Sequence, residues 1–178
     1  MNPDAFLRED RDSSRGLTSA EENRSALPPA PLWKEYHVST FKQYLTVLLT
    51  FAILDAIWIG VLMKSFYNSE LGEIARRHDG VLSPRWPAAI LVYVLIPLGI
   101  VLFVNPAMGR APTLLQAASW GAAYGFIGYG IYDLTNRATL EKWSLRMTAI
   151  DMTWGATICA ICAVVLALAR RWSSSVSN

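Results

Sequence analysis

Four long apolar runs dominate the chain, and most polar residues lie before or between them. Residues 45–63 contain one charge, Asp55. Residues 86–104 and 114–131 contain none, and residues 147–169 contain one, Asp151. None of the runs has the polar face that a helix packed on a water-soluble core needs. A helix rises about 1.5 Å per residue and the hydrocarbon core of a bilayer is about 30 Å thick, so each run is long enough to cross. In lipid the backbone must satisfy its own hydrogen bonds, which selects helices, and the alternating ten-residue segments of a membrane β-barrel are not visible. The pattern therefore predicts an all-α, polytopic integral membrane protein with four transmembrane helices in a bundle. The third run is the weakest of the four, being rich in Gly and Ala.

The flanks fit this reading. Trp33, Tyr36 and Tyr44 precede the first run and Trp86 opens the second. Tyr132 and Trp143 follow the third, and Trp172 follows the fourth. Such rings favour the membrane–water interface. Pro87 falls in the first turn of the second helix, where its missing N–H costs nothing. Pro97 is expected to kink that helix, and Asn105-Pro106 to end it.

Composition sharpens the picture. Of 178 residues, 53% are hydrophobic and 17% charged. Residues 1–40 hold 12 of the 30 charged side chains. With no apolar stretch of the signal-peptide kind and with Pro28, Pro29 and Pro31 close together, they read as a polar, mostly disordered tail. Residues 41–172 form the membrane domain and 173–178 a short C-terminal tail. The connector at 64–85 mixes Phe66, Tyr67, Leu71 and Ile74 with charges and reads as a short amphipathic interfacial helix. A net charge of +2 excludes binding nucleic acid through a basic patch, and two cysteines exclude a disulfide scaffold. Four crossings put both termini on one side. Basic residues near the crossings number six on that side and seven on the other, which leaves the orientation open.

Candidate chemistry lies inside the runs. An aspartate near the middle of a membrane helix costs roughly 2.5–3.5 kcal/mol to insert, so neither Asp55 nor Asp151 is expected to face lipid. No Lys, Arg or His lies within a run to neutralise Asp55, and desolvation there favours the neutral acid. Two roles stay open: a hydrogen-bonded clamp between helices, or a proton-linked or ligand-binding group. Both aspartates sit in the same setting, Asp55-x-x-Trp58 and Asp151-x-x-Trp154, which puts acid and indole on one helix face. Chance similarity and a trace of internal duplication both remain open. The polar string Tyr132-Asp133-x-x-Asn136-Arg137 follows the third run, and its spacing allows Asp133 to pair with Arg137. Counted along the helices, Asp133, Asp151 and Asp55 lie at increasing depth from the face opposite the termini, so they could line one cavity.

Small residues form a second pattern. Ala117, Gly121 and Gly125 recur every four residues, followed by Gly128, and Gly155 with Cys159 and Cys162 shares a face with Asp151. Gly121, Gly125, Gly128 and Gly155 are therefore expected to let helix backbones approach closely. The Cys159-x-x-Cys162 pair lies deep in apolar helix and reads as packing. His37 and His78 both fall outside the runs, so no metal site and no cofactor is expected.

Leu54-Asp55-Ala56-Ile57-Trp58, Phe66-Tyr67, the string from Tyr132 through Thr139 with Trp143, and Asp151-x-x-Trp154-Gly155 together resemble a family of small bacterial predicted membrane proteins, domain of unknown function 2177. The resemblance covers about residues 41–170. It implies a four-helix integral membrane protein and no particular biochemistry. Three functions compete: a small proton-linked transporter or channel acting as an oligomer, a non-catalytic membrane assembly or accessory protein, and a lipid-modifying membrane enzyme subunit. The first is preferred, and no residue is assigned as catalytic. The bilayer and a second copy of the chain are the expected partners, and the bacterial inner membrane is the expected location.

Overall fold

Helix α1 (Leu32–Ile57) starts directly after Pro31, within the stretch read from sequence as tail, and runs into a π-helical turn at Trp58–Leu62. The computed structural model describes the backbone of residues 32–176 and side chains from 40 to 173; the rest of the expected N-terminal tail lies outside them. Next come α2 (Lys64–Leu71), a 3-10 turn at Gly72–Ile74, and a hairpin of β1 (Arg77–His78) and β2 (Val81–Leu82). The strands are antiparallel, with Arg77 opposite Leu82 and His78 opposite Val81. Asp79 and Gly80 form the two-residue loop, both at positive φ (50° and 77°), as the favoured turn between such strands requires.

Helix α3 (Trp86–Gly99) passes into a second π-helical turn, Ile100–Val104, and a last short helical turn, α4 (Asn105–Ala107). Pro97 has no N–H to give, and just beyond it the Ile100 N–H is shared between the Ile96 and Pro97 carbonyls. The expected irregularity therefore takes the form of a π turn. The helix ends three residues later than expected, because Pro106 falls in the first turn of α4, where a proline is tolerated.

Helix α5 (Leu114–Thr139) opens with a capping box. The Thr113 hydroxyl accepts from the Gln116 N–H, and the Gln116 side chain accepts from the Thr113 N–H. Helix α6 (Leu145–Val176) extends beyond the expected run at both ends and takes in part of the short C-terminal tail.

Three helices among the described residues are long and apolar enough to cross a membrane: Thr40–Leu62, Trp86–Ala107 and Leu145–Ser173. The expected third crossing, 114–131, is helical throughout but is not one of them. It carries no charge, so the shortfall lies in Gln116, Ser119, its four glycines and its Trp and Tyr rings, none of which adds hydropathy.

Side-chain contacts fix the helix directions. Asn105 donates to Gln43 at 2.9 Å and Tyr93 donates to Asp55 at 2.6 Å, so α3 runs against α1. Gly121 faces Cys159 and Gly130 faces Met152, so α5 runs against α6. Tyr93 and Trp154 both reach Asp55, and Arg170 donates to Asn105 at 2.9 Å, so α6 runs parallel to α3. Direction thus alternates along α1, α3, α5 and α6, the order of an up-and-down bundle. Its core includes Val47, Phe51, Ile100, Ile158, Cys159, Cys162 and Leu166. Large apolar side chains such as Leu49, Ile53, Ile90 and Phe103 stand exposed on the outer faces, as bilayer-embedded helices require.

Candidate functional site

Asp55, Asp151 and Asp133 are buried, with relative exposures of 4%, 7% and 0%. Asp55 sits one turn before the π-helical end of α1. The Tyr93 hydroxyl of α3 donates to its Oδ2 at 2.6 Å, and the Trp154 indole of α6 donates to its Oδ1 at 3.0 Å. One carboxyl group therefore accepts from two helices at once, with a different oxygen turned to each.

Trp58, three residues after Asp55, lies flat on Trp154, with ring centroids 4.2 Å apart and planes 4° from parallel. Its indole N–H donates to the Tyr67 hydroxyl at 3.1 Å. Tyr67, from α2, in turn donates to Oδ1 of Asp151. Burial pushes the Tyr67 phenol well above its usual pKa, and the Asp151 hydrogen bond pushes it further, so it remains a donor.

The two Asp-x-x-Trp segments thus meet face to face. From Asp55 to Trp58 along α1, the partners on α6 step back from Trp154 to Asp151. The first link is direct, and the second passes through Tyr67. The sequence reading named Asp55, Trp58, Asp151 and Trp154 but missed Tyr93 and Tyr67. A tyrosine eight residues inside an apolar run was the available signal for Tyr93, since a buried phenol seeks a polar partner.

Tyr67 is held by a second small core, in which it packs with Trp143 and Met147. Ser144 donates to Glu70, Arg146 lies 3.7 Å from Glu70 and over the Phe66 ring, and Lys142 pairs with Glu73. These contacts tie the connector to the loop before α6 and to the first turn of α6.

Asp133 belongs to this end of the bundle, where the Trp143 indole and Asp151 are its polar neighbours. The expected pair with Arg137 does not form. Asp133 points inward while Arg137 is exposed and donates to the Trp143 carbonyl at 2.6 Å. Neither Asp133 oxygen, nor the Asn136 amide nitrogen, nor the Trp143 indole nitrogen has a hydrogen-bond partner among the described residues. Tyr132 is largely exposed and sets its ring edge-on to Trp143 at 5.7 Å. The three aspartates are thus neighbours at one end, but only Asp55 and Asp151 join the aromatic network.

The small-residue contacts lie directly below. A Cβ at Gly121 would run into the Cys159 carbonyl, one at Gly125 into the Gly155 carbonyl, and one at Gly155 into the Tyr129 ring. Gly128 departs from the expectation: it is exposed, and a Cβ there would meet nothing within 4 Å. The face continues in steps of four from Gly121 and Gly125 to Tyr129, and position 128 turns away from it. Gly130, facing Met152, is a buried glycine of α5 that the spacing did not single out.

A family model described as a predicted membrane protein, DUF2177, matches residues 40–168. No curated protein and no solved structure matches the chain.

Proposed function

The chain belongs to the predicted membrane protein family DUF2177, and from that premise we propose that it is a small proton-linked transporter or channel of the bacterial inner membrane, with four crossings and acting as an oligomer. Support for α5 as the fourth crossing comes from its length, about 39 Å at 1.5 Å per residue, and from the alternation of helix directions. The observation that carries the functional reading is Asp55, which accepts from Tyr93 and Trp154 and so joins α1, α3 and α6. A proton on Asp55 Oδ2 would reverse its bond with Tyr93, so that the acid donates to the phenol oxygen and the phenol proton has to find another acceptor, and the joint between α1 and α3 would rearrange. The π turn beginning at Trp58 is the adjoining element through which α1 can shift, since such turns mark functional sites in helices. Proton binding is thereby coupled to helix arrangement. Four helices enclose little room for a path, which favours a second copy.

The second reading is an assembly or accessory protein in which the same network is a fixed clamp. It is favoured by the complete engagement of both Asp55 oxygens. Proteoliposomes on a solid-supported membrane separate the two. Under an imposed pH gradient, with amino acid, sugar and cation mixtures tried in turn, the first reading expects a charge movement that Asp55→Asn abolishes. Folded protein that moves no charge under any gradient supports the clamp.

A further inference from the structure

The connector between the first two membrane helices carries three arginines of two different kinds, Arg76, Arg77 and Arg85. Arg77 is fully engaged: it donates to the Asn68 side chain and carbonyl and to the Gly72 and Gly80 carbonyls, at 2.9–3.3 Å. It is the residue that pins the hairpin to α2. Arg76 and Arg85, on either side of the same hairpin, are exposed, and their guanidinium groups have no partner among the described residues. The Ser83 N–H bonds the Arg76 carbonyl at 2.9 Å and brings the two ends of the hairpin together. Arg76, Ser83, Arg85 and Trp86 consequently line one open pocket of about 470 Å³.

The location decides what such a pocket meets. Trp86 is the first residue of a helix apolar enough to cross a membrane, and it is 68% exposed. An exposed indole at that position sits at headgroup depth. Two unpaired guanidinium groups, each a fork of N–H donors suited to phosphate oxygens, face the same level. A serine hydroxyl adds a neutral donor.

We propose that this pocket binds the phosphate of an anionic phospholipid headgroup, with Arg76 and Arg85 as the charged clamp, Ser83 as a further donor and Trp86 as the acyl-side wall. The site is independent of the proton-linked reading. It lies on the connector that also delivers Tyr67 to Asp151, so a bound headgroup would hold that connector at the membrane surface.

Native mass spectrometry of the full chain, released from micelles doped with equal phosphatidylglycerol and phosphatidylcholine, tests the proposal. The wild type should retain phosphatidylglycerol in preference. The double substitution Arg76→Gln/Arg85→Gln should reduce that preference about tenfold or more, the size expected for two arginines at an anionic surface. Both positions are exposed, so folding should be unaffected, and unchanged melting of the double variant checks this. Lys64→Gln, on the same connector, should leave the preference intact. Equal retention of both lipids by the wild type, an unchanged preference in the double variant, or an equal loss in Lys64→Gln would overturn the proposal. Displacement of the lipid by millimolar inorganic phosphate would identify a soluble phosphate as the ligand and overturn the lipid assignment.

Discussion

Trp154 donates its indole N–H to Asp55 at 3.0 Å, and its ring carries Trp58 flat against it at 4.2 Å. One residue of α6 therefore meets both members of the Asp-x-x-Trp segment of α1. The mirror contact, from Trp58 to Asp151, runs through the Tyr67 hydroxyl. Two antiparallel helices carrying the same four-residue pattern meet in a local, approximate two-fold arrangement. That arrangement buries two acids without a basic partner, because phenol and indole donors take the place of a cation.

The Tyr67 link gives the first prediction. Tyr67→Phe leaves the Trp58 N–H without its acceptor and Asp151 without its donor, while the ring still fills its place beside Trp143. A loss of about 1–2 kcal/mol is expected, the size of a hydrogen bond left unmade inside a membrane bundle. Thermal unfolding in detergent should show a lower midpoint. A midpoint equal to the parent's would mean that the connector packs by its apolar contacts alone.

Helix approach gives the second. Gly125→Leu should prevent α5 from seating on α6, because the added side chain meets the Gly155 backbone. Gly128→Leu, three residues on, should be tolerated, since that position is open. Membrane-fraction yield and melting of the two variants provide the comparison, and equal behaviour would contradict the packing described.

Much of the bundle was legible in the sequence. The apolar runs at 45–63, 86–104 and 147–169 all became long helices because run length and lack of charge leave lipid-embedded helix as the stable state. The third run was the ambiguous one: the glycines that let α5 approach α6 are among the residues that lower its hydropathy. Asp55, Trp58, Asp151 and Trp154 could be named from spacing alone. Their mutual pairing could not, since it depends on the register between helices about 100 residues apart. Tyr67 escaped for the same reason. Gly128 shows the limit of reading small residues without phase: the contact follows the steps of four through Gly121, Gly125 and Tyr129, and Gly128 lies about 100° round the helix from Tyr129. The Asp79-Gly80 turn was a readable hairpin signal that the short strands around it obscured.

The crossing of α5 gives the third prediction. With four crossings, cysteines at Ala75 and Glu141 should react with a membrane-impermeant maleimide from the same side, and one at Arg110 only from the other. The native Cys159 and Cys162 are buried and should not interfere. Labelling of 110 and 141 from one side would remove α5 from the membrane and with it the four-span arrangement.

The fourth prediction bears on proton linkage itself. Infrared difference spectroscopy of the protein in lipid follows the protonated-carboxyl band as the pH is stepped. The account predicts a reversible, pH-dependent band that disappears in Asp55→Asn. In Trp154→Phe, which keeps the acid and removes one of its donors, the same band should shift in frequency. A carboxyl band that does not respond to pH, or one untouched by both substitutions, would contradict the claim that Asp55 exchanges protons while holding α1, α3 and α6 together.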